Sequence, residues 1–413
     1  MTTTQSAPLT ANAKNIFNAT VIITALGYMV DVYDILIFSA LRTPSLIDLG
    51  LTGDAVTKTG MFIINMQMTG LIIGGLIFGM LGDKIGRKKC LLGSILLYSL
   101  ATLGCAVVQT VDQYAALRFV AGLGLAGEVG IGVALITENM KKEHRGLGVA
   151  VFTFIGIGGA VIAGVAAELL PWRTCYLIGG IAGLLLLATR SILRESGMFS
   201  KAHEDNVKRG DFLQFIKQPK LGLRYLYCVL IGVPIYFVIA IPWTLSPELA
   251  KAMNVPFPVK ASIALAIGYS FTMIGDLLAG ILSHIFKSRR IIITGFIIFG
   301  GFVIGLFMQM RNLSVFEYYM FCALLGVAIG YWVNMITVAA EQFGTNLRAT
   351  AATSIPNFVR ATTIPMYAML GWLKPSMGIL SATSVIATIA IVLSLVAVSQ
   401  LRETFHEDLD YYS

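Results

Sequence analysis

The sequence predicts an all-α membrane protein: twelve transmembrane helices in two six-helix bundles, a 6+6 pseudo-repeat with both termini cytoplasmic. Three observations lead there. Apolar residues make up 56% of the 413 residues and charged residues only 13%, about half the charged share of a soluble domain. Apolar stretches recur at the length a helix needs, roughly 20 residues, to cover about 30 Å of hydrocarbon. A charged turn at 79–89, Gly-Met-Leu-Gly-Asp-Lys-Ile-Gly-Arg-Lys-Lys, returns in worn form at 280–290 as Gly-Ile-Leu-Ser-His-Ile-Phe-Lys-Ser-Arg-Arg, again between apolar stretches. A duplicated unit is the economical reading, and membrane proteins built this way are characteristically transporters.

The first span, 15–39, follows a short polar N-terminus without a small-residue cleavage site, and reads as a retained helix carrying Tyr28, Asp31 and Asp34. Span 2, 60–82, holds Gln67 and runs into the charged turn with Asp83 and Arg87; span 3 is 90–110. Span 4, 113–138, carries Arg118 and Glu128 among Gly122, Gly124, Gly127, Gly130 and Gly132, small residues that let a neighbouring helix come close. Glu138 at its inner end is followed by Arg145. Spans 5 and 6, 147–170 and 172–192, complete a first bundle over residues 1–192. From 193 to 221 the chain turns polar with mixed charges, as a cytoplasmic linker does. The second bundle, 222–413, opens with span 7 at 222–245, where Pro234, Pro242 and Pro247 remove backbone donors and predict kinks. Spans 8 and 9 are 261–285, with Asp276, and 291–310. Span 10, 315–340, carries Tyr331 and Asn334 and ends at Glu341, followed by Arg348. Span 11, 348–373, holds Arg360 between Pro356 and Pro365, and span 12 is 376–400. The pairs Glu138–Arg145 and Glu341–Arg348 are both seven residues apart and are offset by the same 203 positions, which strengthens the repeat.

The formal net charge is +8, but the position of the basic residues excludes a nucleic-acid surface. With the N-terminus inside, 21 Lys and Arg fall on the inner side and 7 on the outer, leaving Arg118 and Arg360 within spans. This asymmetry orients the chain with both ends cytoplasmic. The five cysteines lie in or beside apolar spans without CxxC spacing, so neither a disulfide framework nor a metal site is expected. No nucleophile–base set or phosphate-cradling loop is present, so neither an enzyme nor a cofactor is expected.

Taken together, these motifs resemble the major facilitator superfamily, in the branch of sugar porters and metabolite:proton symporters. Residues 118–128 are similar to that family's span 4 signature, and Pro171-Trp172-Arg173 with Tyr176 resembles the turn before span 6. Arg194 to Phe199 resembles its motif after span 6, with Gly197 where proline is expected. Asp31-Val32-Tyr33-Asp34 is similar to the paired acids of organic-acid:proton symporters. The resemblance implies a cavity between two bundles, lined by spans 1, 4, 7 and 10 and opening to either side in turn. It also implies that Asp34 takes the coupled proton with Arg118 as its partner. The family's cytoplasmic latch falls on Asp83, Arg87, Glu138, Arg145, Glu341 and Arg348; in the second-half loop His284 and Ser288 stand in place of the acid and the arginine.

Charge at membrane depth costs several kcal/mol unless paired or hydrated, so each buried ionisable group is a candidate. Asp31 and Asp34 are about 60° apart around a helix and face one cavity. Asp34 and Arg118 lie at matching depths, roughly 7–8 Å from the outer surface at 1.5 Å per residue. The two form either a proton switch or a permanent pair holding the helices together. Glu128 is a second proton site or a neutral interhelical group. Arg360 needs an anionic partner, either a substrate carboxylate or Asp276. Tyr28, Gln67, Tyr236, Tyr331 and Asn334 are the remaining substrate-contact candidates. The expectation is a monomeric carrier of the bacterial inner membrane, with protons, lipid and a small polar, carboxylated metabolite as its partners. Proton-driven efflux of drugs or siderophores, and uptake of a zwitterion or sugar, stay open.

Overall fold

The computed structural model describes residues 19–85, 87–126, 145–191, 215 and 217–405, and among these there are helices and turns but no strand. Nine stretches among the described residues are helical, apolar and long enough to cross a membrane. In lipid every backbone N–H and C=O must be satisfied within the protein, and a continuous helix does so by itself.

Among the described residues up to 191 there are six helices: α1 Ala19–Asp48, α2 Asp54–Ile85, α3 Arg87–Cys105, α4 Val111–Leu125, α5 Arg145–Leu169 and α6 Trp172–Ser191. The sequence ended the first span at 39, whereas α1 continues to Asp48. Its extra turns survive because other elements serve their polar groups. Arg42 reaches Glu248, and Asp48 accepts a bond of 3.1 Å from the Trp172 indole. The inner end of span 4, with Glu128 and Glu138, lies outside the described residues.

After the linker the helices are interrupted where the sequence puts proline and glycine. The seventh span becomes α7 Pro219–Leu230, α8 Val233–Val238 and a π-helical turn Ile239–Trp243, followed by α9 Ser246–Ala252. Pro234 and Pro247 sit in the first turns of α8 and α9, where no N–H is needed, and Pro242 lies inside the π turn. α10 Ala261–Phe286 and α11 Arg289–Gln309 are unbroken. The tenth span divides into α12 Val315–Ile329 and α13 Trp332–Glu341. α14 Thr345–Ala361 stops where the ring of Pro365 would meet the Ala361 carbonyl, four residues back. α15 Thr363–Gln400 contains Gly378 at φ 77, a conformation favoured by glycine, and there the chain turns from span 11 into span 12.

Glycine sets the closest crossings. A Cβ on Gly122 would fall 2.1 Å from the Gln67 carbonyl oxygen, which fixes α4 against α2. The corresponding pair after the linker is α10 and α12, where a Cβ on Gly326 would fall 2.2 Å from the Gly268 carbonyl oxygen. α1 packs on α5 and α6, and α3 on α4 and α6; later in the chain α11 packs on α12 and α15, and α13 on α14. Two seams join the early and late helices, α5 against α10 and α2 against α14, and a cavity lies between them.

Candidate functional site

The cavity encloses about 450 Å³, including its open side, and is walled by α1, α5, α8, the π turn, α10, α12, α13 and α14. Its surface is mostly aliphatic and aromatic, with Ile157, Ile235 and Ile329 beside Tyr28, Tyr236, Tyr269 and Trp332. Among the described residues, the one charged side chain in its lining is Arg360. Arg360 is 2% exposed, and its partners among those residues are all neutral. Nε donates to the Tyr236 hydroxyl at 3.1 Å, Nη1 donates to the Asn357 amide oxygen at 3.0 Å, and the guanidinium sits 5.8 Å from the centre of the Trp332 ring. Asn357 is itself held across the molecule, donating to the Ala126 carbonyl at 2.9 Å. Asp276, the acid that the sequence offered as a fixed partner for Arg360, instead accepts a backbone bond from Val333. A guanidinium fixed by two oxygens and a ring, with no carboxylate, has both direction and unspent charge.

A second buried guanidinium lies in the early helices. Arg118 is 0% exposed; Nη1 meets Asp34 Oδ1 at 3.0 Å, and Nη2 donates to the Asp34 carbonyl oxygen at 2.6 Å. The other carboxylate oxygen accepts from the Thr102 hydroxyl at 2.8 Å. Gln67 closes the cluster, its oxygen 3.4 Å from Arg118 Nε and its amide donating to the Ile35 carbonyl at 3.1 Å. The Tyr176 ring covers the guanidinium at 5.7 Å, and its hydroxyl is bonded to that of Tyr114 at 2.6 Å. Tyr28, Val32, Ile35 and Leu36 are the residues that α1 turns to the cavity, whereas Asp34 is bonded to Thr102 of α3 and Arg118 of α4. Asp31 is also buried and absent from the cavity wall. The expectation that both acids face the cavity is thus corrected: the wall takes the face of α1 that carries Tyr28, Val32, Ile35 and Leu36.

Of the expected substrate contacts, Tyr28, Tyr236 and Arg360 line the cavity. Gln67 belongs to the Arg118 cluster. Tyr331 donates to the Ile231 carbonyl at 3.0 Å, and Asn334 donates to the Ala279 carbonyl at 3.0 Å and the Ser283 hydroxyl at 2.7 Å, so neither lines the cavity. The break between α12 and α13 turns Trp332 inward in their place. Tyr269 and Thr272 join the wall from α10.

The latch candidates are described only in part. Glu138 and Glu128, and the side chains of Asp83, Arg87 and Arg145, lie outside the described residues. Glu341 pairs with Arg289 and accepts from the Thr404 hydroxyl at 2.6 Å, both from the later helices and tail. The base opposite it is therefore one residue past Ser288, the position that the repeat aligns with Arg87. Arg348, half-buried, has its backbone N–H bonded to the Gly344 carbonyl at 2.9 Å.

Sequence reasoning missed the links at the opposite end. Arg42 Nη2 reaches both oxygens of Glu248 at 2.7 and 2.8 Å and the Thr244 carbonyl at 3.2 Å, while Thr57 donates to Glu248 at 2.8 Å. Asp54 pairs with Lys374, and Glu168 with Lys260. Each joins an early helix to a late one.

The model of the Major Facilitator Superfamily matches residues 15–361. A putative metabolite transport protein of Haemophilus influenzae is 34% identical over 184 residues, 43% of this chain and 44% of that one. The niacin transporter NiaP of Acinetobacter baylyi is 31% identical over 193 residues, 44% of this chain and 43% of that one. The chain thus spans less than half the length of these curated relatives. Among solved structures, the proton:xylose symporter XylE bound to 6-bromo-6-deoxy-D-glucose superposes with a TM-score of 0.71 at 18% identity, over 97% of this chain and 98% of that one. At that identity the likeness concerns the fold.

Proposed function

Because the chain belongs to the major facilitator superfamily, whose members are membrane transporters and not enzymes, we propose that it takes up a small carboxylated metabolite together with protons, by alternating access. The substrate class that fits best is an aromatic monocarboxylate. The observation that carries this reading is Arg360, a buried cation with neutral partners only, in a cavity walled by four aromatic rings. A guanidinium kept in an apolar site without a counter-charge is expensive, and a visiting carboxylate relieves that cost. Tyr28, Tyr236, Tyr269 and Trp332 offer faces and edges to a flat ring. The niacin carried by the relative from Acinetobacter baylyi is a ring bearing one carboxylate, in agreement with this chemistry.

Coupling is assigned to Asp34 and Arg118. Protonating Asp34 removes the charge that Arg118 holds and loosens α1 from α4. Since Val32, Ile35 and Leu36 on the other face of α1 form cavity wall, a shift of that helix reshapes the substrate site without Asp34 touching the substrate. The closed side is held by Arg42–Glu248, Asp54–Lys374 and Glu168–Lys260, which have to part when the cavity opens that way. In this reading residues 1–192 and 222–413 are the two moving bundles of six spans, and 193–221 links them. Both termini are cytoplasmic, the closed side is the outer one, and the carrier works as a monomer in the inner membrane.

Purified protein in liposomes tests the proposal with radiolabelled benzoate or nicotinate under an imposed pH gradient. Accumulation driven by an acidic outside, lost in Arg360→Ala, is the expected result. Accumulation driven by an acidic inside makes the protein an exporter. Flux of neither acid, with a sugar or zwitterion carried instead, overturns the substrate class.

A further inference from the structure

Asp276 is an intramembrane acid that neither the proton switch nor the substrate contacts use, and it stands at the break between α12 and α13. α12 ends at Ile329 and α13 begins at Trp332; between them Gly330 has ψ 50, and Tyr331 has φ −125 and ψ 21. The break rests directly on α10, since a Cβ on Gly330 would fall 2.4 Å from Gly275 Cα. A helix that restarts presents free backbone N–H donors. In water a side chain at the N-cap usually accepts one of them. Here the N-cap is Tyr331, which makes no side-chain cap. The acceptor comes from the adjacent helix instead: Val333 N–H donates to Asp276 Oδ1 at 3.2 Å. Oδ2 of the same carboxylate is sealed from solvent and makes no hydrogen bond among the described residues.

What this cap holds is the substrate site. Trp332, the first residue of α13, lines the cavity, lies 6.0 Å from the Tyr236 ring and covers the Arg360 guanidinium at 5.8 Å. Thr272, one turn before Asp276 on α10, lines the same cavity. In the same first turn of α13, the bonds of Asn334 to Ala279 and Ser283 fasten the helix to α10 a second time. The Asp276 oxygen therefore acts at the start of α13, where that helix meets the cavity and leaves backbone N–H donors free.

We propose that Asp276 is a positioning residue of the substrate site: from the neighbouring helix it caps α13 and so keeps Trp332 in the wall over Arg360. The inference rests on the reading of Arg360 as the carboxylate receptor. Its test has one arm that needs no substrate, the amide hydrogen exchange of the segment 330–336 in nanodisc-embedded protein, and one that does, equilibrium binding of labelled benzoate. Asp276→Ala should speed exchange in that segment and weaken benzoate binding by about 10-fold, the scale of one lost hydrogen bond to a charged group. Asp276→Asn, whose Oδ1 still accepts the Val333 N–H, should restore both. If the alanine variant does not fold, Asp276→Ser, whose hydroxyl turns back onto its own helix, gives the same comparison. Unchanged exchange in the capless variant overturns the cap, and faster exchange with unchanged benzoate affinity overturns the positioning role. Wild-type protein that ignores benzoate but shows the exchange difference sinks the receptor reading and leaves the cap standing.

Discussion

Arg118 and Arg360 are two fully enclosed guanidiniums in one membrane protein, and their surroundings differ in one respect. Arg118 has a carboxylate at 3.0 Å, whereas Arg360 has a phenol, an amide and an indole. The first has its counter-charge within the protein, and the second has none among the described residues. In the proposed function these become the two groups a carrier needs, one that the driving ion can uncouple and one that the cargo can satisfy. α1 connects the two, since one face carries Asp34 and the opposite face forms cavity wall.

The largest effect that would break this comparison is on folding. Arg118→Ala leaves Asp34 buried without its cation and should destabilise the protein by about 3–5 kcal/mol, read as a fall in unfolding temperature in detergent. Arg360→Ala, which strands no acid, should stay within about 1 kcal/mol of wild type while losing uptake. Equal losses in the two variants would mean that Arg360 is as structural as Arg118. Next in size is Asp34→Asn, expected to abolish accumulation against a gradient while keeping substrate exchange at equal pH; retained proton-driven accumulation rules out the switch. Arg360→Lys should raise the KM for benzoate by about 10-fold, because a point charge cannot keep the Tyr236 and Asn357 bonds while receiving a carboxylate. An unchanged KM would place the cargo elsewhere.

The smallest effect concerns the segment after the last helix. Burial raises the pKa of Glu403, but the Ser288 hydroxyl and the N–H groups of Arg289, Arg290 and Phe405 outweigh it and leave the pKa below the ordinary glutamate value. A depressed folded-state pKa stabilises above the unfolded value, and that contribution disappears as pH falls through the folded one. Glu403→Gln should therefore lower the unfolding temperature slightly at pH 7, with the difference closing below about pH 4. A difference that stays constant with pH would trace the effect to packing.

The sequence made Asp34 and Arg118 legible as a pair because both lie on uninterrupted helices, where a count of residues is a measure of depth. Arg360 was legible from the cost of its charge alone. Misplacement begins at backbone breaks. A 3.6-residue period cannot be carried through Gly330 and Tyr331, so Tyr331 and Asn334 were favoured where Trp332 lines the wall. Register slippage hid Arg289 as the partner of Glu341, since the repeat aligned Ser288 with Arg87. Arg42 and Glu248 are 206 residues apart and belong to no motif, so only three-dimensional packing brings them together.

The links between early and late helices are of two kinds. Lys260–Glu168 and Lys374–Asp54 stand in partly open surroundings, whereas Arg42 is fully enclosed against a glutamate that is 20% exposed. Dissolved ions weaken open pairs and barely touch enclosed ones. Raised salt on that side should therefore loosen the rim while leaving one central bolt, so that in the proposed function more of the carriers would stand ready to open there. Replacing Glu248 with glutamine should heighten that sensitivity to salinity.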